Sequence, residues 1–590
     1  MYINDLVVDF YSHIIGKRLL LLANCDIDSV CTCKILQWLF HCDNILYTLI
    51  PIQGIEDMIT AFEEHSGEVK YVVLINCGGT IDVIETLRPE EDVVFFILDN
   101  HRPTDVCNIY NTQQIRLIAK IEEDEMIPEF DEIFNDDDED DNDGNESDNS
   151  GIDENEEDAE GSENEAGESR VAKRRRLNEE AILKRRERRL WEEKRNRLMF
   201  EYTQFTYFGR SSAILIYELA WKLSKDNIDV LWWAIVGITQ QFVLGHVPVQ
   251  KYQDELDSLQ LHIGRLCPNI VDNDDTASQH SGSSLSNNPS FNTSLKIISE
   301  KDLNLVLYRH WTVEKSLRHS MFLAVRLKLW TIKGEKRLHQ LLAEMGLPLA
   351  ESRQMFSSMD LNLRKEFHGM MEKMAKTHDL DIMFTSFTLH HGFRNRYQAT
   401  DYVYAMLALF CSAMKDKNHI DCFLDALGCL SRQNKTLLDE GIVKAKMLLT
   451  IMYRQVQNSL DMKQVISAGP FLYLVIQEGT LDSRYYSQPI CLHMLAQILL
   501  RAYVATARRK SAGLPLIISA PFYSIEGTCL VLGVPPLSET IPRNFFGKAF
   551  EQAAEKTNSN IEMDYFNTAV IRMKTEDRAK FFDALTALLS

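Results

Sequence analysis

Short apolar runs alternate with segments of helical spacing along the first 121 residues. Each run is apolar at consecutive positions, which is typical of a strand buried on both faces in a parallel sheet covered by helices. The runs predict five strands, at 18–24, 45–52, 71–77, 92–99 and 114–119, with helices at 29–41 and 55–64 between them. This order of elements predicts an N-terminal α/β domain, 1–121, with a parallel sheet.

The periodicity changes farther along the chain. Apolar segments at 209–225 and 230–247 predict two more helices, and residues 295–460 show mostly helical spacing with many methionines. The pattern then returns to α/β, with strands predicted at 471–478, 514–519 and 528–534 and helices at 545–556 and 575–589. We therefore expect a helical middle region, 295–460, and a smaller C-terminal α/β domain, 461–590.

Charge is concentrated in two adjacent segments. Residues 122–168 contain 25 Asp and Glu and no Lys or Arg, whereas residues 170–197 contain 13 Lys and Arg and only five Glu. Without these two segments the net charge of −23 falls to −6. The composition therefore excludes a wholly acidic or wholly disordered protein and indicates a near-neutral fold with an acidic insertion at 122–169.

Two further segments complete the domain organisation. The basic stretch contains strong helix formers, so we expect a long charged helix to open a region, 170–271, that holds the remaining helices of the N-terminal domain. Residues 272–294 are rich in Ser and Asn, which predicts a disordered loop. No secretory signal or membrane span is expected, and 12 scattered cysteines without a CxxC pair suggest reduced thiols in an intracellular compartment.

Polar residues follow three of the predicted N-terminal strands. They form the segments 24–29 (NCDIDS), 76–79 (NCGG) and 99–103 (DNHRP). Because ligands bind at the carboxyl ends of parallel strands, these side chains should meet at one edge of the sheet. Carboxylates and imidazoles gathered there suit a pair of divalent metals that activates water against a phosphodiester. The alternative is structural, with the aspartates serving as helix caps and turn residues.

These three segments resemble the motifs of the DHH phosphoesterase superfamily. The first family motif is His-x-Asp-x-Asp-Gly, and residues 24–29 keep both aspartates but carry Asn24 in place of the histidine. Asn76 stands where the second motif has an aspartate, and Asn100 replaces one histidine of Asp-His-His-x-Pro. Residues 209–213 (GRSSA) are similar to a later helix start of the family.

The departures from the family pattern imply a fold that has lost catalysis. An amide carbonyl supplies no negative charge, so three asparagines weaken a two-metal cluster. The Gly-Gly-His triplet of the family's accessory domain is absent after residue 471. The resemblance thus implies a degenerate site without a resident cofactor, although one weakly bound divalent cation remains compatible with it. Its vestigial metal positions are Asn24, Asp26, Asp28, Asn76, Asp99, Asn100 and His101.

Longer segments are similar to a eukaryotic replication-factor branch of this superfamily. They are NCDIDSVCTCKIL at 24–36, VFFILDNHRP at 94–103 and FRNRYQATDYVYAML at 393–407, with the acidic insertion followed by KRRR. This resemblance implies a nuclear, non-catalytic scaffold of the replicative DNA helicase. Such a scaffold acts in origin firing and fork unwinding, and it holds the GINS complex and the minichromosome maintenance hexamer.

Two other functions remain open on sequence grounds. The first is an active manganese-dependent single-strand DNA exonuclease or phosphoesterase with an unusual ligand set, which the three asparagines disfavour. The second is a module that binds histones or other basic proteins through residues 122–168, which predicts that this segment binds by itself.

Several surface features are candidates for regulation and binding. Lys173, Arg174, Arg175 and Arg176 match a nuclear localisation signal, and Ser147 and Ser162 lie in the acidic context that acidophilic kinases favour. Single-stranded DNA and other replication factors are candidate partners. Basic and aromatic side chains at Arg394, Arg396, Tyr397, Arg508 and Arg509 are candidate nucleic-acid contacts, although each cluster equally suits a solvated face.

Overall fold

The structure, a computed structural model, describes residues 1–121, 125–134, 166–267, 295–380, 382–391, 395–411, 418–506, 513–538, 540 and 542–590, with backbone alone over 166–182. The chain divides into two compact units. One is Glu123–Gln204, and the other, here called the main unit, combines Met1–Glu122 with Phe205–Ser590.

Sixteen strands lie within the described residues of the main unit. They are β1 (Arg18–Asn24), β2 (Leu46–Ile52), β3 (Tyr71–Ile75), β4 (Val94–Leu98), β5 (His101–Arg102), β6 (Ile115–Leu117), β7 (Tyr207–Phe208), β8 (Leu295–Leu303), β9 (Met383–His391), β10 (Asn395–Gln398), β11 (Ile466–Ser467), β12 (Leu472–Val475), β13 (Leu516–Phe522), β14 (Thr528–Val534), β15 (Ile561–Glu562) and β16 (Val570–Lys574).

The α-helices among the described residues include two in the Glu123–Gln204 unit, α6 and α7. In chain order they are α1 (Ser12–Ile14), α2 (Ile27–Asp43), α3 (Ile55–His65), α4 (Val83–Leu87), α5 (Val106–Tyr110), α6 (Phe130–Ile133), α7 (Ala166–Thr203), α8 (Ser212–Lys222), α9 (Ile228–Val243), α10 (Val249–Leu266), α11 (Val313–His319), α12 (Met321–Leu327), α13 (Ile332–Glu344), α14 (Leu349–Ser352), α15 (Leu361–His378), α16 (Ala399–Phe410), α17 (His419–Cys429), α18 (Lys435–Asp461), α19 (Pro489–Thr506), α20 (Phe546–Thr557) and α21 (Arg578–Leu589).

The N-terminal sheet has five parallel strands in the order β2-β1-β3-β4-β6. All five predicted strands and the predicted helices α2 and α3 are confirmed, with ends shifted by up to two residues. Residues 19–23 of the interior strand β1 are fully buried because helices cover both faces of the sheet. The carboxyl ends of β1, β3 and β4 therefore lie side by side on one edge.

Helices α8 and α9 pack against α2 and complete the core on one side of this sheet. Every residue of α9 from Val230 to Gln241 is buried. A Cβ atom added at Gly237 of α9 would lie 2.6 Å from Ala213 Cβ and 2.8 Å from a carboxylate oxygen of Asp28. Only glycine therefore allows α9 to lie this close to the start of α8 and α2.

The middle region is mostly helical, as expected, but it also contains strands that the sequence pattern did not predict. Residues 295–398 include a three-stranded antiparallel sheet in the order β10-β9-β8, in which β8 and β9 pair over nine residues each. Buried and partly buried positions alternate at the start of β8, which is the sequence signal of a strand. Its partner β9 follows only after five intervening α-helices. The many helices around these strands hide that signal, and they enclose a separate apolar core that includes Leu317, Leu338 and Phe367.

A six-stranded mixed sheet, β11-β12-β13-β14-β16-β15, forms the C-terminal part. The three predicted strands and both predicted helices are confirmed as β12, β13, β14, α20 and α21, whereas β16 and α19 were not predicted. Among the described residues, α19 alone is long and apolar enough to cross a membrane. Its buried face, from Cys491 to Ala502, packs in the main core, which accounts for its composition.

The Glu123–Gln204 unit contains the predicted long charged helix as α7. Surface pairs spaced four residues apart, Arg188–Glu192 and Arg197–Glu201, stabilise it. Lys194 forms an ion pair of 2.9 Å with Glu132 near α6, and Arg195 donates a hydrogen bond to a carbonyl there. The sequence pattern groups this helix with 170–271, but the fold groups its residues with the acidic segment before it.

The cysteines depart from the expectation of reduced thiols at one place. Cys411 and Cys491 form a disulfide across a Cα–Cα distance of 6.6 Å, joining the end of α16 to the start of α19. The other ten cysteines are not disulfide-bonded in the described structure. The pairing could not be predicted from spacing, because residues separated by 80 positions in sequence meet in the core.

Candidate functional site

The polar residues after β1, β3 and β4 come together as predicted. Asn24 ends β1, Asn76 directly follows β3, and Asp99 directly follows β4. In-register parallel pairing brings these strand ends to one edge, where α2 begins. The seven vestigial positions divide into a network around Asp28, a pair formed by Asp99 and His101, and Asn24, which borders the adjoining cleft.

Asp28 is a fully buried carboxylate in the first turn of α2. Its Oδ1 atom accepts hydrogen bonds from Ser211 Oγ at 2.5 Å and from the Ala213 amide at 3.1 Å. Its Oδ2 atom accepts three, from the Ser212 amide at 2.9 Å, Asn100 Nδ2 at 2.9 Å and Asn76 Nδ2 at 3.2 Å. Five donors thus replace the water that burial removes from this charge.

The segment 209–213 supplies the strongest of these contacts. Ser212 and Ala213 open α8, so their amides have no partner within the helix and point toward Asp28. The positive end of the α8 dipole lies at the same place. The sequence indicates this helix start by its resemblance to a family motif, but its contact with a carboxylate 183 positions away is a product of the fold.

Asn76 joins the two halves of the network. Its Nδ2 atom donates to both oxygens of Asp26, at 3.2 and 3.3 Å, and to Asp28, while its Oδ1 atom accepts from Ser212 Oγ at 2.5 Å. The hydroxyl on one side and the carboxylates on the other fix which end of the amide is the donor. Its positive φ of 50° is tolerated by asparagine.

Asp26 has the structural role that the alternative reading of this motif predicts. It is the N-cap of α2, and its carboxylate accepts from the Ser29 amide at 2.8 Å and from the Ser29 hydroxyl at 2.9 Å. Burial, followed by the nearby charge of Asp28, raises the pKa of Asp26 to about 7. Asp26 therefore becomes a proton-binding carboxyl near neutral pH.

Asp99 and His101 form a separate ion pair with a distance of 2.7 Å. Burial alone would raise the pKa of Asp99, but the facing imidazole and the hydrogen bonds from His101 and Gly79 lower it overall. Burial alone would lower the pKa of His101, yet Asp99 outweighs burial and raises it. Both groups are thus held in their charged forms, engaged with each other.

These contacts do not fit a two-metal centre. Metal ligation needs free lone pairs, and the oxygens of Asp28 are taken by five donors that include the Asn76 and Asn100 amide groups. Within the described part of the chain, no group of three or more His, Cys, Asp and Glu side chains is arranged to hold a metal ion. The amide donors of Asn76 and Asn100 occupy lone pairs of Asp28 that a cation would need.

A cleft with a volume of about 140 Å³ adjoins this network. Apolar side chains such as Phe208, Leu244 and Ile490 share its wall with polar groups. The amides of the wall are Asn24, Gln53, Asn100, Gln240, Gln241, Gln488 and Asn567. In the described structure, Asn100 Oδ1 and Gln241 Oε1 are buried without a hydrogen-bond partner.

Sequence reasoning missed the contributions of α9 and α19 to this cleft. Gln240 Oε1 accepts a hydrogen bond from the Asp28 amide at 2.6 Å. The ring of His246, which follows α9, stacks on Phe208 with centroids 3.7 Å apart. Burial, followed by the neighbouring rings of His493 and His101, lowers the pKa of His246. The signal available in sequence was the polar pair Gln240-Gln241 within an otherwise apolar helix.

The other candidate residues lie away from this edge or outside the described residues. Arg396 is exposed on β10, as a nucleic-acid contact requires, but Tyr397 is only 3% exposed and donates to Asp439 at 3.2 Å. This burial does not favour Tyr397 as a nucleic-acid contact, because β10 turns its ring into the core. Outside the described residues lie Ser147, Ser162, Arg394, Arg508 and Arg509, and also the side chains of Lys173, Arg174, Arg175 and Arg176.

Comparison with known proteins places relatives along the full length of the chain. A family model described as CDC45 matches residues 19–588. The cell division control protein 45 homologs of Homo sapiens and Dictyostelium discoideum are 40% and 30% identical to the chain, covering 100% and 97% of it and 100% and 95% of themselves. The crystal structure of CDC45 from Entamoeba histolytica has the same fold, with a TM-score of 0.68 at 22% identity and 100% coverage of both chains.

The raised pKa of Asp26 predicts a specific pH dependence of stability. The folded state binds this proton up to about pH 7 and the unfolded state only up to about pH 4, so the stabilising contribution is complete below pH 4 and lost as pH rises through 7. Asp26→Asn keeps the cap and removes the titration. Since Asp26 is partly exposed to the cleft, we expect the variant to gain about 1–2 kcal/mol over the parent at pH 8 and little at pH 5.

Urea unfolding of both proteins at pH 5 and pH 8 measures this difference. Asp57→Asn, which changes a more exposed carboxylate near the cleft, is the matched control and should show no such pH-dependent gain. An equal effect of Asp26→Asn at both pH values would contradict the assignment.

Proposed function

The chain belongs to the CDC45 family, and from this membership and the chemistry of its strand-edge site we propose that it is a non-catalytic scaffold subunit of the eukaryotic replicative DNA helicase. Family membership makes the chain a DNA replication factor. The proposed scaffold holds the GINS complex and the minichromosome maintenance hexamer together during origin firing and fork unwinding. It works in the nucleus and needs no resident cofactor.

One observation carries the proposal that the site is not catalytic. The carboxylate at its centre, Asp28, is occupied by five hydrogen-bond donors. A phosphoesterase of this type requires carboxylates that hold metal and thereby lower the pKa of bound water. Here Asn76 and Asn100 satisfy the same charge without a metal, so the edge of the sheet stabilises the fold and generates no hydroxide.

A second argument concerns the assembly. A scaffold needs a rigid body that presents fixed surfaces, and the network joins α2, the ends of β3 and β4, and the start of α8. Partner subunits then contact the outer faces of the main unit, where exposed apolar side chains such as Leu424 and Met447 are present.

A nuclease assay separates this proposal from the alternative of an active exonuclease. Purified protein is incubated with manganese and end-labelled single-stranded DNA beside the variant Asp26→Ala/Asp99→Ala, with circular dichroism to verify that both are folded. We expect the same background cleavage from both proteins, because the site of the parent holds no metal-activated water. Metal-dependent cleavage by the parent that the double variant lacks would overturn the proposal.

An assembly experiment tests the scaffold role directly. The full chain is co-expressed with the minichromosome maintenance hexamer and GINS of the same organism, and the mixture is separated by size. We expect one complex that contains all three, with the Asp26→Asn variant assembling equally well because the site is not catalytic. A chain that elutes alone while the other two associate would contradict the proposed role.

We further propose that residues 173–176 (KRRR) direct nuclear import. Changing all four to alanine in a fluorescent fusion should shift the protein to the cytoplasm, because importins recognise clustered basic side chains. The matched control replaces Arg185, Arg186, Arg188 and Arg189 of α7, which lie farther along the same helix. If nuclear fluorescence is lost only in the control variant, the cluster that directs import is the later one and not residues 173–176.

A further inference from the structure

A second cavity lies in the middle region, away from the strand-edge site. Its volume is about 950 Å³, and its walls come from β8, β10, α15 and α18. We call it the basic groove because seven Lys and Arg side chains line it. One of them, Arg309, pairs with Asp302, and the other six, here called the six cations, are Lys301, Arg364, Lys365, Arg396, Lys435 and Lys446. Of the six cations, only Arg396 belongs to a segment whose resemblance indicated the replication role.

The lining of the groove carries a net positive charge. Seven Lys and Arg side chains face three acidic ones, Glu300, Asp302 and Asp439. Arg309 pairs with Asp302 at 2.7 Å and with Glu300 at 3.5 Å, whereas none of the six cations forms an ion pair with a carboxylate in the described structure. Asp439 accepts a hydrogen bond from Tyr397 and interacts at longer range with Lys446. A cavity with an excess of positive charge attracts a polyanion.

The apolar part of the lining narrows the choice of polyanion. Three aliphatic side chains on the groove are unusually exposed, namely Met355 at 40%, Leu361 at 51% and Val443 at 54%. In contrast, the rings of Tyr308 and Tyr397 are only 5% and 3% exposed. Single-stranded nucleic acid is held by exposed aromatic stacking platforms, whereas exposed aliphatic side chains favour apolar side chains of a peptide.

We propose that the basic groove binds an acidic peptide segment of a partner protein, whose aliphatic or aromatic side chains cover Met355, Leu361 and Val443. The carboxylates of this segment face the six cations, and its apolar side chains remove the exposed aliphatic surface from water. This site is separate from the strand-edge network and goes beyond the proposed scaffold role, which could hold or fail independently of it.

Fluorescence anisotropy on the full chain tests this proposal. The probe is a labelled 16-residue peptide in which Asp-Glu pairs alternate with pairs of Leu or Phe. We expect saturable binding that weakens with added salt, because the contacts are largely ionic. The variant Lys365→Glu/Arg396→Glu/Lys435→Glu should weaken binding at least tenfold, and a probe of equal charge with Ser in place of Leu and Phe should bind at least fivefold more weakly.

Two controls decide whether the groove and the ligand class are correct. Lys463→Glu/Lys556→Glu/Lys580→Glu makes the same change of charge at exposed positions outside the groove and should alter binding less than twofold. Equal weakening by this control would overturn the site. The second control is a labelled thymidine oligonucleotide of 16 nucleotides. If it binds the parent more tightly than the peptide does, and if this binding is lost in the groove variant, the ligand is nucleic acid and the proposed ligand class is overturned.

Discussion

The burial of one negative charge constrains the whole edge of the N-terminal sheet. Asp28 is removed from water completely, and an unpaired carboxylate in that position would destabilise the fold by several kcal/mol. Its five donors come from the ends of β3 and β4 and from the start of α8. The position of each of these segments is therefore tied to the same two oxygen atoms, which also explains why α9 needs glycine where it passes over them.

Two of the three asparagines acquire a positive physical role in this arrangement. Compared with the motifs of the DHH phosphoesterases, the asparagines stand in place of one carboxylate and two imidazoles that would bind metal. In the structure, Asn76 and Asn100 present N–H groups to carboxylates, so amide dipoles do the neutralising that a divalent cation would do in a phosphoesterase. Asn24 differs, since it borders the cleft rather than the carboxylate network. In the proposed non-catalytic role, the asparagines at positions 76 and 100 thus stabilise the fold.

Charge is handled differently in the two units of the chain. The excess negative charge belongs to the segment after residue 121 and leaves the main unit near neutral, so the net charge of −23 says little about the surfaces of the fold. Within that near-neutral unit, however, the basic groove is lined by seven Lys and Arg side chains and only three acidic ones. Averages over composition cannot detect such local separation, because the contributing residues come from four elements distant in sequence.

The sequence by itself determined the parallel sheet, its strand limits within two residues, the long charged helix and the three strand ends that meet at the site. Those features depend on local periodicity and on the rule that parallel strands align their carboxyl ends. Only the tertiary structure decided that Asp28 is saturated by donors, that Tyr397 faces inward, that the middle region contains a sheet and that Cys411 meets Cys491. Each of these depends on contacts between residues far apart in the chain, and such contacts are fixed by packing rather than by the pattern of neighbouring residues.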